Sequence, residues 1–310
     1  MSLTVVGSIA FDAVTTPYGD RSRMLGGSAV HFSLAASFFD AVRVVGPVGD
    51  DFGAPEYAVL HDRGIDTSDI EQVAGGKTFF WSGRYHEDLN RRDTLRTDLN
   101  VFEHFEPKLS DDSRGADLLF LANIQPDLQR QVAEQCPGAR FVAMDSMNLW
   151  IEIAHDSLVE TIQAVDCVIL NDAELRQLTG KPNLVQAARE VRSWGPTAVV
   201  AKQGEYGAAL LTGEGFFALP AFPLEHVQDP TGAGDSFAGG FMGSLAAHDG
   251  EIDHDALRVA MAYGTTLASF NVEEFGTERM QRLTAEEIAA RLDDLQRITR
   301  FDAAPVALRD

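Results

Sequence analysis

Short apolar runs alternate with amphipathic stretches along most of the chain. The runs predict buried strands at residues 3–7, 42–48, 118–122, 141–145, 167–171, 198–202 and 208–212. Helical spacing of apolar positions predicts helices at 28–38, 55–63, 126–135, 158–165, 173–179, 184–194, 235–247, 255–270 and 285–298. β-rich runs interleaved with helices indicate an α/β domain around a largely parallel central sheet. One segment breaks the rhythm: 75–102 reads as two β-like arms around a polar turn at 87–92, and holds Phe79, Phe80, Trp81 and Tyr85. A second irregular stretch, 12–23, follows the first strand. The pattern allows an antiparallel flap over a site at the sheet edge, or a surface hairpin with core-facing aromatics. Phe79, Phe80 and Trp81 cannot all face one way in a strand. They are open to roles in substrate packing, in a lid contact or in the core. No repeat or low-complexity linker divides the chain, so residues 1–310 read as a single domain.

Composition narrows the partners. The 310 residues are 45% hydrophobic and 23% charged, enough for a well-buried core. The formal charge of −22 repels nucleic acid and anionic membranes, so neither is expected as a partner. No apolar run approaches the ~20 residues that span a bilayer. The first residues lack a basic signal region, which points to a cytoplasmic protein. Four Lys stand against 21 Arg. This imbalance fits either a salty cytoplasm or a merely acidic proteome. Cys136 and Cys167 lie beside apolar stretches without metal-ligand spacing and read as core residues.

The most informative stretch is 228–247, QDPTGAGDSFAGGFMGSLAA. Asp229-Pro230 favours a turn. Thr231, Gly232, Ala233 and Gly234 carry little side-chain bulk, so backbone can approach a ligand closely. A helix is predicted to start at Asp235, its glycines compensated by close packing against the sheet. Such a turn offers free amides and the positive end of a helix dipole to an anion, normally phosphate. Asp235 then reads as a helix N-cap, or as a base beside an anion hole. In the second reading the amides of Gly232, Ala233 and Gly234 hold a moving phosphoryl group while Asp235 takes the attacking hydroxyl's proton. The turn alone does not separate the two.

The longer pattern, DPTGAGDSFAGGFM, resembles the second signature of the ribokinase-like (PfkB) carbohydrate kinases. GGSAVHFSLAAS at 26–37, followed by VVGPVGDDFG at 44–53, is similar to the family's first signature. Asn171-Asp172-Ala173-Glu174 resembles its NxxE element. KQGEYG at 202–207 and ASFNVEEFG at 268–276 resemble its nucleotide-side segments. The resemblance implies a three-layer α/β/α sandwich, mainly parallel, with a small β-lid at about 12–23 and 75–102. It implies transfer of the γ-phosphate of ATP to a hydroxyl, with Mg²⁺ and often a stimulating monovalent cation such as K⁺. A homodimer through the lid is admitted by the resemblance alone. A dinucleotide oxidoreductase is disfavoured, because GxGxxG does not follow the first strand.

Carried onto this chain, the family pattern assigns roles. Asp12 at the end of the first strand run would accept substrate hydroxyls, or would simply form a turn. Gly26 and Gly27 would let a polyol lie against backbone. His31 stands where the family often has a substrate-binding Asn, which leaves the acceptor open among sugars, nucleosides and cyclitols such as myo-inositol. The GGSAVHFS variant leans towards nucleoside- and inositol-type members. Asn171 and Glu174 would order Mg²⁺ through water, and Asp229 would help orient that shell or cap its turn. Lys202, Gly204, Gly207, Thr231, Gly232 and Gly234 would border the nucleotide. A non-catalytic nucleotide-binding regulator on the same scaffold is the competing class.

Overall fold

A computed structural model describes residues 1–301 of the chain. The strands are β1 (Leu3–Val6), β2 (Ala10–Thr16), β3 (Gly19–Gly26), β4 (Val42–Val48), β5 (Asp66–Gln72), β6 (Phe79–Tyr85), β7 (Arg92–Asp98), β8 (Leu118–Leu121), β9 (Phe141–Met144), β10 (Cys167–Asn171), β11 (Ala198–Lys202), β12 (Ala208–Leu211) and β13 (Phe216–Leu219). Nine of them form one sheet in the order β13-β12-β11-β10-β9-β8-β1-β4-β5. It is parallel from β11 to β5 and closes with two antiparallel pairings, β11–β12 and β12–β13.

The central strands are apolar on both faces because helices cover both. β8 shows this directly. Leu118 and Phe120 enter one core with Phe32, Phe241 and Met261, while Leu119 and Leu121 enter the other with Val132, Leu158 and Val191. Three layers result, as the resemblance implied. The helix Ala233–Ala246 is buried on nearly every side. Its glycines accommodate neighbouring helices: a Cβ at Gly239 would lie 2.2 Å from the Phe32 carbonyl, and one at Gly240 would lie 2.8 Å from that of Tyr263. Their cost of roughly 1 kcal/mol each is offset by this approach. The close partners are therefore the helices Ser28–Ala36 and His254–Asn271, rather than the sheet alone.

β3-β2-β6-β7 form a second, four-stranded sheet. Its outer pairs are antiparallel, but β2 and β6 run parallel, so it is mixed rather than the expected antiparallel flap. Residues 12–23 are not irregular; they belong to the β2–β3 hairpin. Asp12 accordingly sits within β2 and does not end the first strand. The three aromatics divide among packing partners. Phe80 joins the main core, Phe79 meets Phe102 at 5.8 Å between ring centroids, and Trp81 packs with Val14, Tyr85 and Phe275.

Candidate active site

The central strands end in a row of polar residues at one edge of the sheet. Lys202 ends β11 in register with Asn171, which ends β10, and Asp145 follows β9. Between β8 and β4 the strand order reverses at β1, the place where open α/β sheets form a ligand crevice.

The glycine-rich turn faces this row. Asp229 is fully buried and serves as the turn's brace: one oxygen accepts from the Thr231 amide at 2.9 Å and the other from the Gly276 amide at 3.0 Å. Gly232 has φ +76°, and a Cβ there would lie 2.3 Å from His31 Nδ1. The helix begins at Ala233, two residues earlier than predicted. Asp235 is thus in its first turn and is not its N-cap; that position belongs to Gly232 and lacks a side-chain cap bond. The expectation of three converging amides is also reduced. The Ala233 amide donates to the Pro230 carbonyl at 3.2 Å, whereas those of Gly232 and Gly234 find no partner among the described residues. Lys202 Nζ stands 2.8 Å from where a Gly234 Cβ would be.

Four carboxyl groups converge on the same space. Burial holds the Asp235 carboxyl above the usual carboxylate range, opposed by His31, Lys202 and Arg92. Burial and the Asp235 charge push Asp145 well above that range, and its Oδ1 is buried without a hydrogen-bond partner among the described residues. Burial also raises Glu174, against Lys202 and the Asn171 amide. Asp12 is pushed up to about 7 by burial, then by Asp229 and Asp235.

The remaining predicted residues divide. Asn171 and Glu174 form a capping box on the helix Asp172–Thr179: Glu174 Oε2 accepts from the Asn171 amide, and Asn171 Oδ1 from the Glu174 amide, both at 2.8 Å. A Cβ at Gly26 would lie 1.9 Å from Asp12 Oδ2, so this glycine makes room for the carboxylate. Gly27 is required by the protein's own backbone, with Ser8 O 2.5 Å from its notional Cβ. Gly207 is likewise forced by the Leu219 carbonyl at 2.0 Å. His31 is buried, with Nδ1 3.1 Å from Asn271 Oδ1.

The second sheet reaches across the site. Tyr85 OH accepts from Thr231 Oγ1 at 3.2 Å. Arg92 hydrogen-bonds Tyr85 and lies within electrostatic reach of Glu174, Asp235 and Asp12. Asn90, in the turn between β6 and β7, touches Gly204. Sequence reasoning missed Arg92, Asp145 and Asn271. Arg92 sat in a polar turn among other arginines, and Asp145 was a lone Asp after an apolar run.

A family model described as pfkB family carbohydrate kinase matches residues 2–282. The chain belongs to that family. A cytidine kinase of Thermococcus kodakarensis is 30% identical over 249 residues, covering 78% of this chain and 87% of the relative. A nucleoside kinase of Methanothermobacter thermautotrophicus is 26% identical, covering 92% and 96%. Among solved structures, the aminoimidazole riboside kinase of Salmonella enterica, complexed with aminoimidazole riboside and an ATP analogue, superposes with a TM-score of 0.75. The identity is 20%, and the match covers 94% of this chain and 100% of that one, so the likeness speaks for the fold. The chain is a sugar or nucleoside kinase of the ribokinase family. No helix among the described residues is long and apolar enough to cross a membrane.

Proposed function

We propose that this kinase moves the γ-phosphate of ATP to a hydroxyl of a nucleoside, with Asp235 as general base. The observation that carries the reading is the conjunction at one helix start: a half-buried carboxylate, two amides at Gly232 and Gly234 without a partner among the described residues, and the Lys202 ammonium beside Gly234. Amides and ammonium suit charge developing on a transferred phosphoryl group, and the carboxylate suits the proton of the attacking hydroxyl. A raised Asp235 pKa makes the carboxylate a stronger base than an exposed one. Arg92 would add a second positive charge from the lid, formed by the segments near 12–23 and 75–102. Its closure would keep water from the phosphate.

The donor set fits a hydrated divalent cation. No three His, Cys, Asp or Glu side chains among the described residues are grouped to hold a metal directly. Glu174 has spent one oxygen on its capping box, and Asp145 presents a buried, unpartnered one. Mg²⁺ keeps several waters and could be held through them by Glu174 and Asp145. When bound, it would neutralise phosphate charge. K⁺ stimulation is part of the same proposal.

Nucleosides are favoured because both relatives cited above act on them by name. The test is acceptor-dependent ADP release from Mg·ATP across cytidine, other nucleosides, free sugars and myo-inositol, at low and high KCl. A nucleoside should give the strongest signal. A response to myo-inositol alone would replace the acceptor class. ATP binding without release for any acceptor would favour a nucleotide-binding regulator.

A further inference from the structure

His31 and Asn271 meet in the interior although 240 positions separate them. Asn271 is fully buried, and its orientation is fixed from two sides. Nδ2 donates to the Thr231 carbonyl at 2.7 Å, while Oδ1 accepts from Ser236 Oγ at 3.0 Å. Reversing the carboxamide would press Oδ1 against the Thr231 oxygen. Oδ1 therefore faces His31 Nδ1 at 3.1 Å. A carboxamide oxygen only accepts, so the hydrogen must lie on Nδ1. In the neutral ring, Nε2 is then a bare lone pair.

That lone pair is buried and finds no partner among the described residues. Burial also works against a charged ring, opposed by Asp235 and Asp229. An unmet buried acceptor is costly, so its retention implies a donor from outside the chain. The imidazole lies against Gly232, at the turn that Asn271 holds through the Thr231 carbonyl.

We infer that Asn271 is a positioning residue that locks His31 in the Nδ1–H tautomer, and that Nε2 accepts a hydrogen bond from a hydroxyl of the acceptor molecule. The inference rests on the kinase reading for the acceptor's place in the site. It adds a polarity that residue identity alone does not supply: His31 offers an acceptor and no donor. A polyol hydroxyl satisfies it, whereas an O-methyl ether or carbonyl oxygen at that point is rejected. Asn271 also ties the acceptor contact to the anion turn, because one carboxamide orients both.

The test begins with long-range ¹H–¹⁵N NMR of histidine-labelled protein, the ring assigned with His31→Gln. His31 should show a protonated Nδ1 and a bare Nε2, and Asn271→Ala should erode that preference. Saturating cytidine should move the Nε2 resonance, and ATP alone should not. Kinetically, His31→Phe should raise the acceptor KM at least about tenfold while changing the ATP KM less than about twofold. An Nε2–H tautomer in the wild type would overturn the assignment. So would an Nε2 resonance indifferent to both cytidine and ribose, which would leave bound water as the partner. The tautomer is read without turnover. Failure of the kinase reading would appear separately, as absent ADP release with the predicted tautomer intact.

Discussion

Two helices, Ser28–Ala36 and Ala233–Ala246, start on a glycine of positive φ with no side-chain cap, and they pack against each other. At the first, the protein fills the start itself. Ser8 Oγ accepts from the Ser28 amide and the Ser8 carbonyl from the Ala29 amide, both at 3.0 Å. At the second, only the Ala233 amide is engaged by the turn, while those of Gly232 and Gly234 find no partner among the described residues, and Lys202 Nζ stands beside Gly234. Similar local geometry is used in opposite ways. A helix start whose amides are satisfied is architecture, whereas one left open beside a cation can receive an anion. The glycines differ accordingly. Gly27 is required by neighbouring backbone, whereas a Cβ at Gly234 would meet only the far end of a flexible lysine.

The largest effect should come from the open start. Asp235→Asn should lower kcat at least ~10²-fold while leaving the melting temperature and ATP affinity close to wild type. The glycine pair then sharpens the contrast. Gly27→Ala should cost about 1–3 kcal/mol in a urea melt, because its Cβ meets Ser8 and Ala10 backbone at a positive φ. Gly234→Ala should melt nearly normally, since Lys202 can swing aside, yet lose about tenfold in kcat/KM for ATP.

A pH experiment probes the carboxylate beside the closed start. The folded pKa of Asp12 is raised, so its contribution to stability is full below the unfolded value of 3.8 and is lost as pH rises towards about 7. Asp12→Asn removes that loss. Relative to wild type, the variant should gain at least about 1 kcal/mol between pH 4 and pH 8 in denaturant melts. An unchanged difference across that range would refute the raised pKa. The smallest effect is assigned to Ser8→Ala, about 1 kcal/mol of stability with ATP affinity unaltered, since it opens the closed start without touching the open one.

Much of this was legible in the sequence where chemistry was local. The apolar runs of β4, β10 and β11 were located to the residue, because strands buried on both faces leave an uninterrupted signal. β5, with the sequence DTSDIEQ, escaped because it is a polar edge strand, and β13 because it is short and half-exposed. The signature at 229–242 was visible because its residues are contiguous. The open and closed helix starts were not distinguishable, since Ser8 closes one of them from twenty residues away. The His31–Asn271 pair and the approach of Arg92 depend on the whole fold. Nothing in their immediate sequence marks them.

The central claim is that the helix start at Gly232–Asp235 performs phosphoryl transfer. The most direct measurement is ATP affinity and acceptor-dependent ADP release on the same preparation of Asp235→Asn, beside wild type. Retained ATP binding with turnover reduced a hundredfold or more is the predicted result. Turnover near that of wild type would contradict the account.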